Sequence, residues 1–376
     1  MRERGDKMKR SVMAAAGLLT ALAMLTGCSR AEVEETIQPL VADAIEEADS
    51  EAEAVDDKDE TSLIPEIDTE LKIQAGARIA VVSKSTKGEY WRLVKRGMED
   101  AVAAVNEAYG FAKEDAITMT FEGSENEEDV ETQINIIDAV IAENPDVLCI
   151  SAGDMDSCLA QLEAAKENGI PVVAFDSNVS EKKLIRAYRG TDNVQAGKMA
   201  AYRLGSTIGK MGRVAVFSAQ QKTKSIQDRV EGFLNNIEKY GDIEVVEVIY
   251  SDQVEDMTAA MQDVLNRYPE LDGVFCTNAD VTELYLKMEK NEDVDAPVLI
   301  GVDATTMQQE AIRNGEEIGC VSQQPYAIGY QTMWAAIQST APKKSVTMEK
   351  NVVLNPAWIE EDCLDDPDYS AYLYIE

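Results

Sequence analysis

The chain has 376 residues, no histidine, and 70 aspartates and glutamates against 35 lysines and arginines, a net charge of -35. The missing imidazole removes Ser-His-Asp triads, Cys-His dyads, histidine zinc sites and His-Asp phosphorelays together. The acidity argues against nucleic acid and bare anionic membrane as partners, and the length allows two lobes with cores of their own.

In chain order, residues 1–27 read as a secretory signal peptide. Arg2, Arg4, Lys7, Lys9 and Arg10 form a basic start, and residues 11–24 form an apolar run. That run is shorter than the roughly 20 residues that cross a bilayer. Met8 is an alternative start. Leu25-Thr26-Gly27-Cys28 resembles the bacterial lipobox. The resemblance implies that Cys28 is diacylated and becomes the mature N-terminus, so the protein is expected outside the cytoplasm, lipid-anchored to the cell membrane. Residues 28–75 are crowded with carboxylates and contain no aromatic residue. They are expected to be a lipidated, disordered, acidic tether, because such a segment buries too little apolar area to offset its chain entropy.

From Ala77 onward, short β-branched runs alternate with amphipathic stretches. The pattern predicts strands over 78–83, 117–121, 146–151, 171–175, 184–188, 213–217, 244–249, 273–277, 297–302 and 318–322. Helices are predicted over 90–106, 130–142, 158–168, 195–210, 226–239, 257–267 and 326–337. Near-continuous apolar strands alternating with helices mean parallel sheets covered on both faces, so the expected fold is α/β with two doubly wound lobes. Beyond Cys28, five cysteines remain: Cys149, Cys158, Cys276, Cys320 and Cys363. An odd count without paired spacing argues against a disulfide framework and for small apolar filler. Gly205 to Lys210 has one spacer too few for a phosphate-binding loop, and Met211 stands where Ser or Thr should be. There is no Gly-x-Ser-x-Gly elbow and no calcium-binding loop in register.

Open α/β sheets bind ligands outside the carboxyl ends of their strands. The positions just past the predicted strands are rich in hydrogen-bonding groups. They offer Ser83, then Tyr90 and Trp91, Ser151, Asp176, Thr191-Asp192-Asn193, Ser218, Asn278, Asp303 and Gln323-Gln324, with Arg229 in the helix after Ser218. Carboxylates accept from hydroxyls, amides donate and accept, and guanidinium donates a fork of N–H groups. Aromatic faces suit the C–H faces of a sugar ring. The set fits a neutral polyhydroxylated ligand and contains no nucleophile with its base. Plainer roles stand beside these: Tyr90 or Trp91 as core, Asp176 as a turn residue, Asp192-Asn193 as a helix cap, and Arg229 as a surface ion pair.

From Arg78 to about Asn355 the chain resembles the periplasmic sugar-binding proteins of the ribose-binding type, the substrate receptors of ABC importers. The likeness rests on Val81-Val82-Ser83 followed by Tyr90-Trp91 and Lys95-Arg96-Gly97, and on Asp129 with Gln133, Ile137 and Ile141. It continues in 169–176, Gly190-Thr191-Asp192-Asn193, 229–233, Asn278, Gly301-Val302-Asp303 and Ser322-Gln323-Gln324-Pro325. It departs at Gly88-Glu89, at Ser151-Ala152, at Ala279 and at Asp252-Gln253. The resemblance implies a type I periplasmic-binding-protein fold with a three-stranded hinge crossing near Thr191, Gln323 and Asn351. The first lobe is then 76–191 plus 325–351, and the second 192–324 plus 352–365, followed by an acidic tail, 366–376, without an assigned role. Ligand contacts are expected from Ser83, Tyr90, Trp91, Ser151 and Asp176 on the first lobe. Arg229, Asn278 and Asp303 act from the second, and Gln323 from the hinge.

The expected protein is a monomeric, non-enzymatic lipoprotein without metal or cofactor. It would deliver a sugar or polyol to an ABC permease, with membrane contact only through Cys28. Three rivals share features with it: a receptor of the same fold presenting ligand to a membrane sensor, a glycosidase using Asp176 and Asp303, and a repressor-like regulator. The last is opposed by an acidic segment where a basic DNA-reading helix should be.

Overall fold

A computed structural model describes residues 64–288, 296–342 and 346–375. The expected signal peptide, Cys28 and the tether as far as residue 63 lie outside the described residues.

Two six-stranded sheets form two lobes. The first lobe contains β1 (Arg78–Ser85), β2 (Thr118–Ser124), β3 (Val147–Ile150), β4 (Val172–Phe175), β5 (Ala187–Thr191) and β11 (Asn351–Leu354), in the order β11-β5-β4-β3-β1-β2 and all parallel. The second contains β6 (Met211–Ser218), β7 (Asp242–Tyr250), β8 (Gly273–Cys276), β9 (Val298–Val302), β10 (Gly319–Ser322) and β12 (Ala357–Ile359). Its order is β12-β10-β9-β8-β6-β7, with only β12 antiparallel. The two orders correspond position for position, so β4 in one lobe matches β9 in the other.

The helices are α1 (Glu89–Tyr109), α2 (Val130–Ala142), α3 (Leu159–Glu167), α4 (Asn193–Thr207), α5 (Lys224–Ile237), α6 (Met257–Arg267), α7 (Ala279–Lys287), α8 (Thr306–Asn314) and α9 (Pro325–Ser339). Their starts are written in the sequence. Asp129, Asp192, Asp256 and Asn278 each accept a hydrogen bond from a backbone N–H in the first turn, and Thr305 with Gln308 forms a capping box. Strand side chains alternate faces. Ile79 and Val81 of β1 join the cluster with α1 and α9, whereas Ala80 and Val82 join the one with α2 and α3.

Each lobe is clasped by a helix pair that meets at glycine. A Cβ on Gly97 of α1 would lie 2.1 Å from the Tyr326 carbonyl oxygen, and one on Gly329 of α9 would lie 2.0 Å from that of Val94. In the second lobe Gly197 of α4 and Gly232 of α5 would meet the Arg229 and Val194 carbonyls at 2.0 and 2.2 Å. Glycine at these positions lets the two backbones touch.

Several expectations need correction. The third crossing lies at Asn355-Pro356, not near Asn351, because β11 stays beside β5. Residues 64–75 belong to the folded body. Leu71 is buried in the first-lobe core, and the Tyr109 hydroxyl donates to the Asp68 and Leu71 carbonyls at 2.6 and 2.8 Å. Residues 366–375, to which the sequence assigned no role, pack onto the body: Leu373 and Tyr374 are both buried. The five cysteines Cys149, Cys158, Cys276, Cys320 and Cys363 are buried, with no disulfide among the described residues.

Candidate functional site

The chain bends at two equivalent points, the residues that follow β4 and β9. Asp176 has φ 54° and Asp303 φ 81°, left-handed values that few side chains other than Asp and Asn adopt readily. Each backbone N–H is tied to the neighbouring hinge strand: Asp176 donates to Arg189 at 2.8 Å, and Asp303 to Val321 at 2.9 Å. The turn presents one carboxylate from each lobe to the space between them. Strain of this kind gathers at functional sites.

That space is a cavity of about 140 Å³ lined by Tyr90, Trp91, Asp176, Arg229, Asn278, Asp303 and Gln323, all expected from the sequence. Lys84, Glu127 and Asp280 line it as well. A neighbouring cavity of about 260 Å³ shares Glu127, Ile226, Asn278 and Asp280 and has more apolar walls, including Val254, Met257 and Leu284. The inner cavity alone falls below the roughly 300 Å³ at which drug-sized sites begin.

Two expected residues stand apart from it. Ser83 is fully buried and donates to the Ser85 carbonyl at 2.7 Å; it does not line the cavity. The strand runs two residues past the predicted end, with a register shift between Ser83 and Ser85, and Lys84 takes the inward position. Ser151 is also fully buried and acts behind the wall, donating to Asp176 Oδ2 at 2.7 Å.

Asp176 is closely held. Oδ1 accepts from the Tyr90 hydroxyl at 2.9 Å; Oδ2 accepts from Ser151 and, at 3.0 Å, from Ser177. Lys84 Nζ lies 3.1 Å from Oδ2 and 3.4 Å from Glu127 Oε2. Burial works against the charged carboxylate, but the Lys84 ammonium, the Ser151 hydroxyl, the Arg229 guanidinium and the Tyr90 hydroxyl outweigh it and hold Asp176 below the usual carboxylate range. Lys84 is raised: burial opposes its charge, and Asp176 and Glu127 more than offset that. Asp303 has a different set of donors. Oδ1 accepts from Gln323 Nε2 at 2.7 Å and from the Tyr374 hydroxyl at 2.8 Å, and Oδ2 accepts from the Ala279 N–H at 2.9 Å. Gln323 Oε1 accepts from Thr191 Oγ1 at 2.7 Å, so two hinge crossings are linked.

Arg229 is buried; its Nε donates to Asn193 Oδ1 at 2.8 Å and one terminal nitrogen to the Thr277 carbonyl at 2.7 Å. It is no surface ion pair. Asn278 both caps α7 and lines the cavity. Tyr90 and Trp91 belong to the first-lobe core and line the cavity too, and Trp91 Nε1 donates to Glu127 Oε1 at 2.6 Å. Asp192 is a helix cap, accepting from the Gln195 N–H at 3.0 Å. Asp280 sits exposed at the mouth. Desolvation of its carboxyl by the cavity walls, and then the Glu127, Glu283 and Asp303 carboxylates, raise it above the usual carboxylate range against the pull of Lys84, although the residue keeps access to solvent.

The lobes meet across the cleft. Gln220 Nε2 donates to the Glu127 and Gly153 carbonyls at 3.1 Å each, the Ser177 and Ser225 hydroxyls share a bond of 2.7 Å, and the Thr306 N–H donates to Glu89 Oε2 at 2.8 Å. Among the described residues no cluster of His, Cys, Asp and Glu could hold a metal ion.

The family described as "Periplasmic binding protein domain" matches residues 79–344. The chain is similar to the ribose import binding protein RbsB of Bacillus subtilis (strain 168), 25% identical over 201 residues, which is 54% of this chain and 65% of that protein, less than two thirds of its length. It is 22% identical over 286 residues to the D-allose-binding periplasmic protein of Escherichia coli (strain K12), covering 73% of this chain and 88% of that one. A solved ABC transporter solute-binding protein from Agrobacterium vitis, with bound D-fucose, superposes with a TM-score of 0.71 at 26% identity. That match covers 79% of this chain and all of the other.

Proposed function

The chain belongs to the periplasmic binding protein domain family, and from that premise we propose that it captures a small sugar or sugar-like polyol between its lobes and passes it to an ABC importer. The observation that carries this reading is the pairing of Asp176 and Asp303, at equivalent strand ends of opposite lobes, on one cavity that also holds Arg229, Asn278 and two aromatic residues. A ligand touching both lobes stabilises the closed arrangement, because only there are both sets of contacts made. The relatives named for ribose and allose, and the structure that holds D-fucose, support the ligand class.

The walls narrow it further. Around the cavity carboxylates outnumber lysine and arginine seven to three, which disfavours sugar phosphates and sugar acids and admits neutral ligands. Asp176 does not suit the acid role in a glycosidase. A glycosidase acid needs a raised carboxyl pKa, and this one is lowered. Outside the described residues, Leu25-Thr26-Gly27-Cys28 supports lipid anchoring on the outer face of the membrane. Loss of Cys28→Ser from the membrane fraction is its test.

Thermal-shift screening against neutral pentoses, hexoses and inositols tests the ligand class. A true ligand at roughly 100 times its Kd adds about 2.7 kcal/mol of stability. In calorimetry with that ligand, Asp303→Ala and Arg229→Ala should each weaken binding more than about tenfold, the loss of a charged hydrogen-bond partner. Unchanged affinity in both variants would overturn the site, and no stabilisation by any neutral polyol would overturn the ligand class.

A further inference from the structure

The segment after β12 lies beyond the matched family stretch, yet it is seated at the hinge. Asp366 caps a short 3-10 helix, Pro367–Tyr372, by accepting from the Asp368 N–H at 3.0 Å. The next two residues are committed to different lobes. Leu373 packs in the second-lobe cluster with Ala304, Ile312 and Ile359. Tyr374, 2% exposed, packs in the first-lobe cluster, its ring centroid 6.0 Å from that of Tyr90. Its own polar atoms reach back to the second lobe: the N–H donates to the Ala304 carbonyl at 3.1 Å and the hydroxyl to Asp303 Oδ1 at 2.8 Å. The hinge holds the segment too, with Ser322 Oγ donating to the Tyr372 carbonyl at 2.5 Å and Gln324 Nε2 to the Tyr372 hydroxyl at 3.0 Å.

We propose that residues 364–375 are a strap across the hinge and that Tyr374 is a positioning residue of the ligand site, which fixes Asp303 and links the two lobes. The Asp303 carboxylate accepts about four hydrogen bonds. Gln323 and Tyr374 fill Oδ1 and the Ala279 N–H takes half of Oδ2, so one acceptor direction is left for a ligand hydroxyl. Tyr374 therefore sets which way Asp303 offers that direction. When the lobes part, the phenol stays with Asp303 or the ring stays with Tyr90. Closure keeps both, so the strap biases the lobes toward closure independently of ligand. The positioning role rests on the sugar-site reading, whereas the strap role does not.

Two measurements on the full-length chain separate them. The first is amide hydrogen exchange without sugar. In Tyr374→Ala, exchange should accelerate at 151–156 and 219–225, the cleft contacts remote from the strap in sequence. Acceleration confined to 364–375 would overturn the strap. The second is calorimetry and stopped-flow binding with D-ribose and D-allose. Tyr374→Phe keeps the ring and loses the donor. Dissociation should quicken and affinity weaken about tenfold, while the sugar-free protein stays folded and melts only about 2–4 °C lower for the lost Asp303 bond. Affinity equal to the parent chain would overturn the positioning role. A parent chain that binds neither sugar counts against the sugar reading for these two probes, while the exchange result still decides the strap.

Discussion

Asp176 and Asp303 occupy the same place in two copies of one topology, but they are stabilised by different chemistry. Asp176 faces the buried ammonium of Lys84, whereas Asp303 is held by an amide, a phenol and a backbone N–H. The difference is measurable. Lys84→Met removes the cation and leaves Asp176 buried with hydroxyl donors, which should cost about 3 kcal/mol at neutral pH. A carboxyl with a depressed folded pKa contributes stability that is present above its unfolded value, near 4, and is lost as pH falls through the folded value. Chemical denaturation at pH 7 and pH 3 should therefore show a large gap between parent and variant that narrows in acid. A pH-independent gap would mean that Lys84 acts through packing alone. Asp176, Arg229, Asn278 and Asp303 were legible in the sequence because they lie just beyond apolar strands or in the helix that follows one. Lys84 was not, because the strand continues past its last apolar residue, and alternation then turns a lysine inward where Ser83 was expected.

At the level of elements, the two glycine-clasped helix pairs are equivalent: α1 with α9 in one lobe, α5 with α4 in the other. Gly97→Ala and Gly197→Ala each place a methyl group within about 2 Å of a backbone oxygen, so the helices must separate. Overpacking of this kind costs about 1–3 kcal/mol. Both variants should melt lower, and Gly197→Ala should weaken ligand binding more than Gly97→Ala, because the oxygen it meets belongs to Arg229. Equal ligand affinity in the two would separate that clasp from the site. The sequence pattern matched the observed bounds of α2 and α6, where heptad-like apolar spacing lies between an Asp cap and a polar end. It passed over α7 and α8, nine residues each. It also passed over β11 and β12, edge strands of four and three residues that are specified by their neighbours rather than by their own composition.

Across the whole molecule, the two-lobe plan follows from alternation of strands and helices, and the chain passes between the lobes after β5 and again after β10. The last 20 residues do not yield to such reasoning. Their apolar groups are scattered among carboxylates, and Tyr374 acquires a partner only when the chain has passed the hinge three times. The cysteines carry a consequence of another kind. Cys149, Cys158, Cys276, Cys320 and Cys363 are all buried. Burial pushes the Cys158 thiol up to about 12 and also raises Cys149 and Cys320, so these three offer hardly any thiolate while the fold holds. In the oxidising exterior proposed for it, the native body needs no reductant. A molecule that unfolds there exposes five thiols at once, free to oxidise into disulfides that the native fold does not contain. Its working lifetime is then governed by how rarely it opens, a rate, rather than by the equilibrium that would restore it.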